Sequence, residues 1–393
     1  MAAILNRTGR TYLDFNATAT LRPAARAACE AAFAVDGNPS SAHREGREAR
    51  AAIEAGRAAV AELAGVAPRA VTFAASGTEA VNLVLTPALA VRPGAAPPVR
   101  LIVSAGEHAC VLRGHRFAPA SVEVAQLLAD GRIDLDALSR SLARQPGPVM
   151  LALQGANNET GVIQPVAEAA AIVHAAGGVV VCDAVQLAGR APCSAADLGA
   201  DFLILSAHKL GGPKGVGALV AASPDVAVTL PLVRGGGQER GLRAGTENVA
   251  AIAGFGAAAS LARAELAREP ARLAVLRDAL AACVARAAPD AVVFGAGAPR
   301  LTNTLCFAVP GVSAETLLIA LDLAGIAVSS GAACSSGKVA RSHVLDAMGV
   351  APAIATGAIR LSLGWSSAEA DVAQFGAAFA EIVDRVRRGR RAA

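Results

Sequence analysis

The sequence predicts an α/β fold, in which a large unit with a mostly parallel sheet flanked by helices is followed by a smaller α+β unit. Between about residue 50 and residue 220, apolar segments rich in Val, Ile and Leu alternate with helix-like segments. The apolar segments lack regular polar alternation, which is typical of strands buried on both faces of a parallel sheet. After about residue 245 the pattern changes to long helices followed by short strands, which indicates the second unit.

The first clear helix is predicted at residues 45–66, "EGREARAAIEAGRAAVAELAGV", and Gly65 is the residue type that commonly ends helices. A strand follows at "AVTFAAS", and the next helix begins directly after it at "GTEAVNLVL". Four more strands are predicted at "RLIVSAG", "VMLALQG", "GVVVCDA" and "DFLILSA", with helical stretches such as "PVAEAAAIVHAAG" between some of them. Helices placed between strands in this way predict parallel crossovers.

The second unit begins with a long helical stretch at residues 246–287 that is broken near Pro270. Short strands are expected at "TNTLCFAVP" and "AIRLSLG", with the helix "SAETLLIALDLAG" between them. We therefore expect a segment at residues 1–15 that joins the small domain, a large domain at residues 16–262, and a small domain at residues 263–393. The small domain would carry the Gly-, Ala- and Ser-rich loop "SSGAACSSG".

The composition predicts a soluble globular protein, because 54% of the residues are hydrophobic and 17% are charged. A net charge of +4 with only 3% aromatic residues gives little support for nucleic-acid binding. We find no apolar run of about 18 residues and no signal peptide, so neither a membrane partner nor secretion is expected. The seven cysteines are widely spaced without a C-x-x-C pair, which disfavours disulfide and zinc sites and favours the reducing cytoplasm.

Ligands of open α/β sheets bind beyond the carboxyl ends of the strands, so we searched the strand ends for functional residues. Ser76, Gly77 and Thr78 follow one strand where a helix begins. Free backbone N–H groups and the helix dipole make such a position suitable for a phosphate. An ordinary helix cap with Glu79 in the first turn explains the same residues. For this segment alone, the ordinary helix cap is the favoured interpretation.

Two later strand ends carry opposite charges. Asp183 ends one strand with Gln186 three residues beyond it, and "LSAHKLGGPKG" ends the next with Ser206, His208 and Lys209. A lysine that holds an aldehyde as a Schiff base and a carboxylate that keeps a pyridine nitrogen protonated are what pyridoxal phosphate requires. A salt bridge at the rim of the sheet is the simpler alternative for either residue. Lys214 would also serve by charge, but the strand-end position favours Lys209.

Three further positions are candidates on weaker grounds. His108 follows a strand, where an imidazole could stack on a planar ring, although a lone histidine is more often structural. Asn157 and Asn158 follow the strand "VMLAL", and either could hydrogen-bond a phenolic oxygen of the cofactor. Arg360 lies within a strand of the small unit, where it could bind a substrate carboxylate with two hydrogen bonds or simply be a surface arginine.

Taken together, the chain resembles the cysteine desulfurases of the NifS and IscS type, in class V of the fold-type I pyridoxal phosphate enzymes. The resemblance extends over nearly the whole chain, and its most specific parts are the lysine segment and the cysteine loop. The motifs that carry it are "YLDFNATAT", "GNPSSAHREGR", "ASGTEAVNL", "EHACVL", "NNETGVIQPV", "DAVQLAG", "SAHKLGGPKGVGAL", "GGGQERGLRAGTEN", "SSGAACSSG", "SHVLDAMG" and "IRLSLG".

The resemblance implies a role for each matching residue. Lys209 would form the Schiff base, Asp183 would pair with the pyridine nitrogen, and His108 would stack on the ring. Cys334 would be the nucleophile that takes sulfur from L-cysteine and leaves L-alanine. The cofactor's phosphate and phenolic oxygen and the substrate's carboxylate would be bound by Gly77, Thr78, Ser206, His208, Asn158, Gln186 and Arg360. Thr246 would reach the phosphate of the second subunit in a homodimer.

The chain also departs from the family. It has Ser206-Ala207-His208-Lys209 where the family often has glycine in the second position, and the extra methyl group should be tolerated. The loop around Cys334 resembles the desulfurase group with a long cysteine loop, and Cys334 could transiently ligate iron during cluster assembly. The C-terminus lacks the Leu- and Trp-containing tail with which some members dock a scaffold protein. The sulfur acceptor or iron–sulfur scaffold partner is therefore not identified.

Two other functions fit parts of the sequence. Transamination of a small amino acid or selenocysteine lysis would use Lys209 and Asp183 without needing a mobile cysteine. A cofactor-free sulfur carrier or scaffold would use Cys334 alone, but it would not need the lysine, the aspartate and the phosphate site. We therefore expect a sulfurtransferase that passes a persulfide onward for iron–sulfur cluster or other thiocofactor synthesis.

Overall fold

The computed structural model describes residues 9–91, 96–222, 226–330 and 341–392. The strands are β1 (Thr11–Tyr12), β2 (Val71–Ala74), β3 (Leu89–Ala90), β4 (Arg100–Ser104), β5 (Val122–Ala125), β6 (Val149–Gln154), β7 (Val179–Asp183), β8 (Phe202–Ser206), β9 (Gly217–Ala221), β10 (Ala227–Val228), β11 (Val292–Val293), β12 (Thr304–Ala308), β13 (Ile326–Ala327), β14 (Ser329–Ser330) and β15 (Ala358–Ser362). The helices are α1 (Pro23–Phe33), α2 (Arg44–Ala64), α3 (Gly77–Val84), α4 (Ala109–Leu112), α5 (Leu135–Arg144), α6 (Val166–Ala175), α7 (Ala195–Leu198), α8 (Val249–Glu265), α9 (Glu269–Ala287), α10 (Ala314–Leu323), α11 (His343–Ala347), α12 (Pro352–Ala355) and α13 (Glu369–Ala392).

The large unit is built on a seven-stranded sheet in the order β2-β9-β8-β7-β6-β4-β5. Strands β8, β7, β6, β4 and β5 pair in parallel, whereas β9 is antiparallel to both of its neighbours. The predicted α/β class with a mostly parallel sheet is confirmed. Strands β5 and β9 were not predicted, and the direction of β9 follows from its short connection to β8, since a parallel strand needs a long crossover.

The register of this sheet aligns the residues at its carboxyl edge. Gln154 at the end of β6 pairs with Asp183 at the end of β7, and Ser206 at the end of β8 pairs with Gly217. Gly217 also pairs with Ala74 at the end of β2. The polar residues that follow these strands are therefore brought to one edge of the sheet.

Helices cover the sheet because their apolar faces pack against its buried strands. Helix α2 ends at Gly65, whose left-handed backbone (φ 69°) confirms the predicted end of this helix. Helix α2 packs closely against α8. A Cβ added at Gly256 of α8 would lie only 2.6 Å from the Cα of Gly56 in α2, so the two backbones approach where both residues are glycine. This close approach explains the small residues on both helices.

The small unit has its own hydrophobic core around the antiparallel sheet β11-β12-β15-β14. Strand β1 near the N-terminus pairs in parallel with β13 of this unit. Helices α8 and α9 meet at an 80° bend next to Pro270. The domain bounds 1–15, 16–262 and 263–393 remain a proposal that these contacts support. Among the helices described, none reaches the length and apolar character of a membrane span by itself, and only the bent pair α8 and α9 does so together.

Candidate functional site

A cavity of about 430 Å³ lies at the carboxyl edge of the large sheet. Ten of the predicted site residues line it: Gly77, Thr78, His108, Asn158, Asp183, Gln186, Ser206, His208, Lys209 and Arg360. Two other candidates, Asn157 and Thr246, do not line this cavity. Cys334 lies outside the described residues, so its position and its predicted contact with iron are not described.

One end of the cavity is formed by the first turn of α3. Ser76 caps this helix, because its side chain accepts a hydrogen bond from the Glu79 amide at 3.1 Å. The helix start also lies against β9, since a Cβ at Gly217 would be 2.5 Å from the Ser76 carbonyl carbon. The residue pattern is therefore a helix cap, and it also directs the N-terminus of an eight-residue helix into the cavity.

His208 lies at the same cavity and is held near Thr18, with 3.1 Å between its Nδ1 and the Thr18 hydroxyl oxygen. Burial lowers the pKa of His208 to about 4, and the nearby charges of Lys209, Lys214 and Arg190 act in the same direction. The imidazole is therefore neutral at pH 7 and can offer one ring N–H to a bound anion.

The predicted lysine and aspartate both line the cavity. Lys209 Nζ donates to the carbonyl oxygens of Asn16 at 2.6 Å and Ala17 at 2.9 Å. Asp183 Oδ1 accepts a hydrogen bond from the Val185 amide at 3.0 Å. Burial raises the pKa of Asp183, while the amide hydrogen bond and the charges of His108 and Lys209 oppose that rise. A cationic partner at this carboxylate would therefore stabilise its charged form.

Lys214, the alternative lysine, is solvent-exposed but also lines the cavity. Lys209 instead follows directly from β8, and its short connection through Ala207 and His208 is a 3₁₀ turn. Both lysines therefore line the cavity, and the choice of Lys209 as the cofactor's lysine stays a prediction.

His108 precedes the short helix α4 and accepts a hydrogen bond at Nδ1 from the Cys110 amide at 3.2 Å. The Cys110 sulfur lies 3.0 Å from the same nitrogen. Because Nδ1 accepts, a neutral His108 carries its proton on Nε2. Cys110 also lines the cavity, but burial raises the pKa of its thiol, so it is a poor source of thiolate at neutral pH.

The two asparagines have different positions. The Asn157 side chain is buried in the turn, where Oδ1 accepts from the amides of Glu159 and Thr160 and Nδ2 donates to the Gly106 carbonyl. Asn158 lines the cavity, and its carbonyl oxygen accepts from Arg360. Of the two asparagines, only Asn158 lines the cavity, and its contact with the phenolic oxygen stays a prediction. Gln186 lines the cavity too, but its amide already donates to the Asn16 carbonyl at 3.0 Å.

Arg360 is 1% exposed and is fixed by two contacts of its guanidinium group. Nη2 pairs with Asp14 Oδ1 at 2.7 Å, and Nη1 donates to the Asn158 carbonyl at 3.0 Å. Its Nε is buried without a hydrogen-bond partner among the described residues. The surface-arginine alternative is therefore excluded, because the side chain is buried and lines the cavity.

Sequence reasoning missed the N-terminal segment that closes the cavity. Asp14 pairs with Arg360, the Asn16 carbonyl accepts from Lys209, and Thr18 contacts His208. All three residues lie in the segment "YLDFNATAT", in which residues 15–17 form a turn. Their spacing in the sequence does not predict these contacts, because each partner lies far away along the chain.

Two buried glutamates beside the cavity were also missed. Glu159 accepts a hydrogen bond from the Ser342 hydroxyl at 2.5 Å, and burial raises its pKa to about 7. Glu107 accepts from the Gln154 amide at 2.6 Å, and burial together with the Asp183 charge raises its pKa well above the usual range. The sequence shows them only as neighbours of His108 and Asn158, without a pattern that predicts burial.

Thr246 is solvent-exposed and lines a separate cavity of about 170 Å³. Gly215 and Val216 line both that cavity and the main one, so the two cavities are neighbours. Arg243, three residues before Thr246, pairs with Glu79 of α3 at 2.9 Å. The Thr246 segment is therefore attached to the helix whose first turn opens into the main cavity.

The groups around the main cavity fit pyridoxal phosphate. The cavity holds a primary amine, a buried carboxyl and an imidazole on its walls, which match the aldehyde, the pyridine nitrogen and the ring. The first turn of α3, the Ser206 hydroxyl and the neutral His208 provide donors for a phosphate. The absence of a side chain at Gly217 leaves room for this helix start.

Comparison with known proteins identifies the family. Residues 11–375 match the family model described as aminotransferase class-V. The chain is 41% identical to a cysteine desulfurase of Cereibacter sphaeroides over 384 residues, which cover 96% of this chain and 97% of that protein. It is 39% identical to an IscS-like cysteine desulfurase of Mycobacterium tuberculosis over 388 residues, covering 97% and 98%.

Solved structures agree with these sequence matches. The NifS-like protein from Rickettsia africae superposes with a TM-score of 0.85 at 34% identity, covering 95% of this chain and 99% of that one. A cavity with the donors of a pyridoxal phosphate site thus occurs in a chain whose full-length relatives are cysteine desulfurases. This chain therefore belongs to the class-V aminotransferase family and, within it, to the pyridoxal phosphate-dependent cysteine desulfurases.

Proposed function

We propose that this protein converts L-cysteine to L-alanine and transfers the sulfur to Cys334 as a persulfide. In this reaction the carbon–sulfur bond of the substrate breaks and a sulfur–sulfur bond forms on Cys334. The β-carbon gains a proton, so that L-cysteine and a thiol become L-alanine and a persulfide. The observation that best supports the proposal is the convergence of Lys209, Asp183 and Arg360 on one cavity.

The cofactor would be held by residues that line the cavity. Lys209 would hold it covalently through Nζ, Asp183 would pair with the pyridine nitrogen, and His108 would stack on the ring. Asn158 and Gln186 would contact its phenolic oxygen, although the Gln186 amide would first have to release the Asn16 carbonyl. The phosphate would be bound by Gly77, Thr78, Ser206 and His208.

The electrostatics of the site support this arrangement. His208 is neutral before an anion arrives, because burial and three nearby cations lower its pKa to about 4. A bound phosphate would reverse that effect, since an opposite charge raises the pKa of an imidazole. Asp183 would be stabilised as a carboxylate by a protonated pyridine nitrogen, which offsets its burial.

Substrate binding would depend on Arg360. Its guanidinium is held rigid by Asp14 and the Asn158 carbonyl, so little side-chain entropy would be lost when it binds a carboxylate. These two contacts use two of the five N–H groups of the guanidinium, so further N–H groups remain for a substrate carboxylate. Asn158 would contribute a second polar group beside the same carboxylate.

Proton transfer would be the task of Lys209. Bound pyridoxal phosphate supplies an electron sink for the negative charge that forms at the substrate's α-carbon. Lys209 Nζ, once free, would take the α-proton and return a proton to the product. The carbonyls of Asn16 and Ala17 would orient this amine, since both accept hydrogen bonds from it.

We further propose a cytoplasmic homodimer in which Thr246 reaches the phosphate of the other subunit. The position of Thr246 supports this, because the residue is exposed and does not line the main cavity of its own chain. The persulfide on Cys334 would pass to an acceptor or scaffold protein for iron–sulfur cluster or other thiocofactor synthesis. Cys334 would contact iron only while a cluster is assembled.

The test is an assay of alanine and sulfide released from L-cysteine in the presence of a reducing thiol. Cys334→Ala is expected to lose activity by at least about a hundredfold while it keeps the visible absorbance of the bound cofactor. Lys209→Ala is expected to lose both. Cys110→Ala is the matched control, because Cys110 lines the cavity and its raised pKa disfavours the thiolate that would carry sulfur.

The same assay separates this proposal from its alternatives. Full sulfide release by Cys334→Ala, or loss of release only in Cys110→Ala, would contradict the assignment of the nucleophile. Release of alanine that depends on no cysteine residue would favour a lysis of the selenocysteine type, whereas formation of the oxo acid without sulfide release would favour transamination. A monomer in gel filtration with the cofactor fully bound would contradict the role of Thr246 in a dimer.

A further inference from the structure

A second cavity, of about 540 Å³, lies at the junction of helices α8 and α9. It shares no lining residue with the main cavity. Its walls come from the α8–α9 connection, from the segment after Gly189 and from the loop that precedes β12. The volume is within the range of about 300–1,000 Å³ that is typical of small-molecule sites.

The charged residues that line this second cavity are all arginines: Arg190, Arg263 and Arg300. Among the residues that the structure describes, no aspartate or glutamate lines it. Arg263 pairs with Glu62 at 3.2 Å, but both side chains are more than half exposed, so this ion pair is weak. The cavity therefore presents positive charge without an acidic residue to neutralise it.

Arg300 has the least satisfied of these guanidinium groups. Its Nη1 nitrogen is buried and has no hydrogen-bond partner among the residues that the structure describes. The acidic residue that acts on it is Asp278, which is already paired with Arg277 at 2.7 Å. A buried N–H without an acceptor is costly, so an anionic ligand at this place would remove a penalty as well as form an interaction.

Arg190 also has unused donors. It donates through Nη1 to the carbonyl and the side-chain oxygen of Gln186, both at 2.8 Å, and through Nη2 to the Lys209 carbonyl at 3.1 Å. These three hydrogen bonds leave two of its five N–H groups for another acceptor. Arg190 thus faces the second cavity while holding two residues of the active site.

The remaining wall of the cavity is mostly apolar. Ile163, Leu266, Pro270 and Leu301 contribute to it. An inorganic ion would leave these apolar side chains exposed to water. A ligand with an apolar body would bury them and gain the corresponding hydrophobic free energy. The lining therefore fits a molecule with an acidic group at one end and an apolar part at the other.

We propose that this second cavity, formed around Arg190, Arg263 and Arg300, is a binding site for a small amphipathic organic anion such as an organic phosphate or carboxylate. The acid group pairs with Arg300 and Arg190, and the apolar body lies against Leu266 and Leu301. Because Arg190 also holds Gln186 and the Lys209 carbonyl, occupation of this cavity alters the binding of pyridoxal phosphate.

Calorimetric titration of the cofactor-loaded protein with octyl phosphate tests the site. One molecule of octyl phosphate is expected to bind per chain. Inorganic phosphate and 1-octanol are expected to bind at least about tenfold more weakly, because the first lacks the apolar chain and the second lacks the acidic group. Arg300→Gln is expected to weaken binding of octyl phosphate by about tenfold or more, through loss of a charge-assisted hydrogen bond. Arg263→Gln provides a second variant if Arg300→Gln does not fold.

Arg268→Gln is the matched control, since Arg268 lies on the same α8–α9 connection, is highly exposed and does not line the cavity. The absence of saturable binding would overturn the proposal. Equal loss in Arg268→Gln and Arg300→Gln would overturn it as well, because the binding would then reflect general positive charge. Both results are binding measurements that do not depend on desulfurase activity. A failure of the proposed function would instead appear in the assay of alanine and sulfide.

The coupling has its own readout. The dissociation constant of pyridoxal phosphate, measured by its visible absorbance, is expected to change at least about threefold when octyl phosphate is saturating, and Arg300→Gln should abolish that change. An unchanged dissociation constant would overturn the link through Arg190.

Discussion

Glu159 provides a prediction in which the structure determines both the sign and the size of an effect. Its carboxyl group is buried, accepts a hydrogen bond from Ser342 and has its pKa raised from 4.5 to about 7. Burial is the largest cause, and it outweighs the opposing effects of the Ser342 hydrogen bond and the positive charges of Arg360 and His108. The folded protein therefore retains a proton on Glu159 at pH values where the unfolded chain has lost it.

The sign follows from this proton. A group whose pKa is higher in the folded state contributes stability below its unfolded pKa and loses it as the pH rises through its folded pKa. Between pH 4.5 and about 7, at about 1.4 kcal/mol for each pH unit, the loss amounts to roughly 3 kcal/mol of the free energy of unfolding. Glu159→Gln should remove this dependence, because an amide stays neutral and can still accept from Ser342.

The measurement is urea unfolding of the cofactor-loaded wild type and Glu159→Gln in parallel at pH 5 and pH 8. The difference between the two proteins cancels the titration of other groups that they share. We expect the free energy of unfolding of the wild type to fall relative to the variant by about 1–3 kcal/mol as the pH rises. A constant difference would refute the reasoning, and a rise would show that the charge of Arg360 dominates over burial.

Two further substitutions test the main site, and a third tests a buried ion pair elsewhere in the large unit. Gly217→Ala should lower the affinity for pyridoxal phosphate by about tenfold or more, because the added Cβ would lie 2.5 Å from the backbone of Ser76, just before α3. The affinity is measured by titration of the cofactor's visible absorbance. Gly297→Ala is the control, because a Cβ added there would have no atom within 4 Å. Arg360→Gln should lower kcat/KM for L-cysteine by roughly 10- to 100-fold and leave the cofactor's absorbance in place, and unchanged kinetics would contradict substrate binding there. Glu239→Gln should cost about 3–5 kcal/mol in urea unfolding, because it breaks the buried pair with Arg57 at 2.7 Å.

The site shows which features of function are local. Lys209, Asp183 and His108 could be predicted because each directly follows a strand, and parallel strands bring their carboxyl ends to one edge. The choice between Asn157 and Asn158 could not be made in this way. The two residues are identical and adjacent, and they differ only in the direction in which the turn points their side chains. The structure shows that the Asn157 side chain is bound within the turn, whereas Asn158 lines the cavity.

The charge state of the site was also beyond sequence reasoning. The raised pKa of Glu159 and the lowered pKa of His208 both depend on burial, which is a property of all the elements that surround a group. The same holds for Arg360, whose pairing with Asp14 joins two positions that are far apart in the chain. The sequence does not distinguish a buried arginine from an exposed one.

By itself, the sequence determined the α/β class, most of the strands and helices and the residues expected to bind the cofactor, because hydrophobic periodicity and strand-end chemistry are local properties. Only the tertiary structure decided the antiparallel course of β9, the placement of Asn16, Ala17 and Thr18 at the main cavity, and the second cavity with its arginines. Those features depend on contacts between distant segments, and such contacts arise from packing and register, which no local pattern of residues encodes.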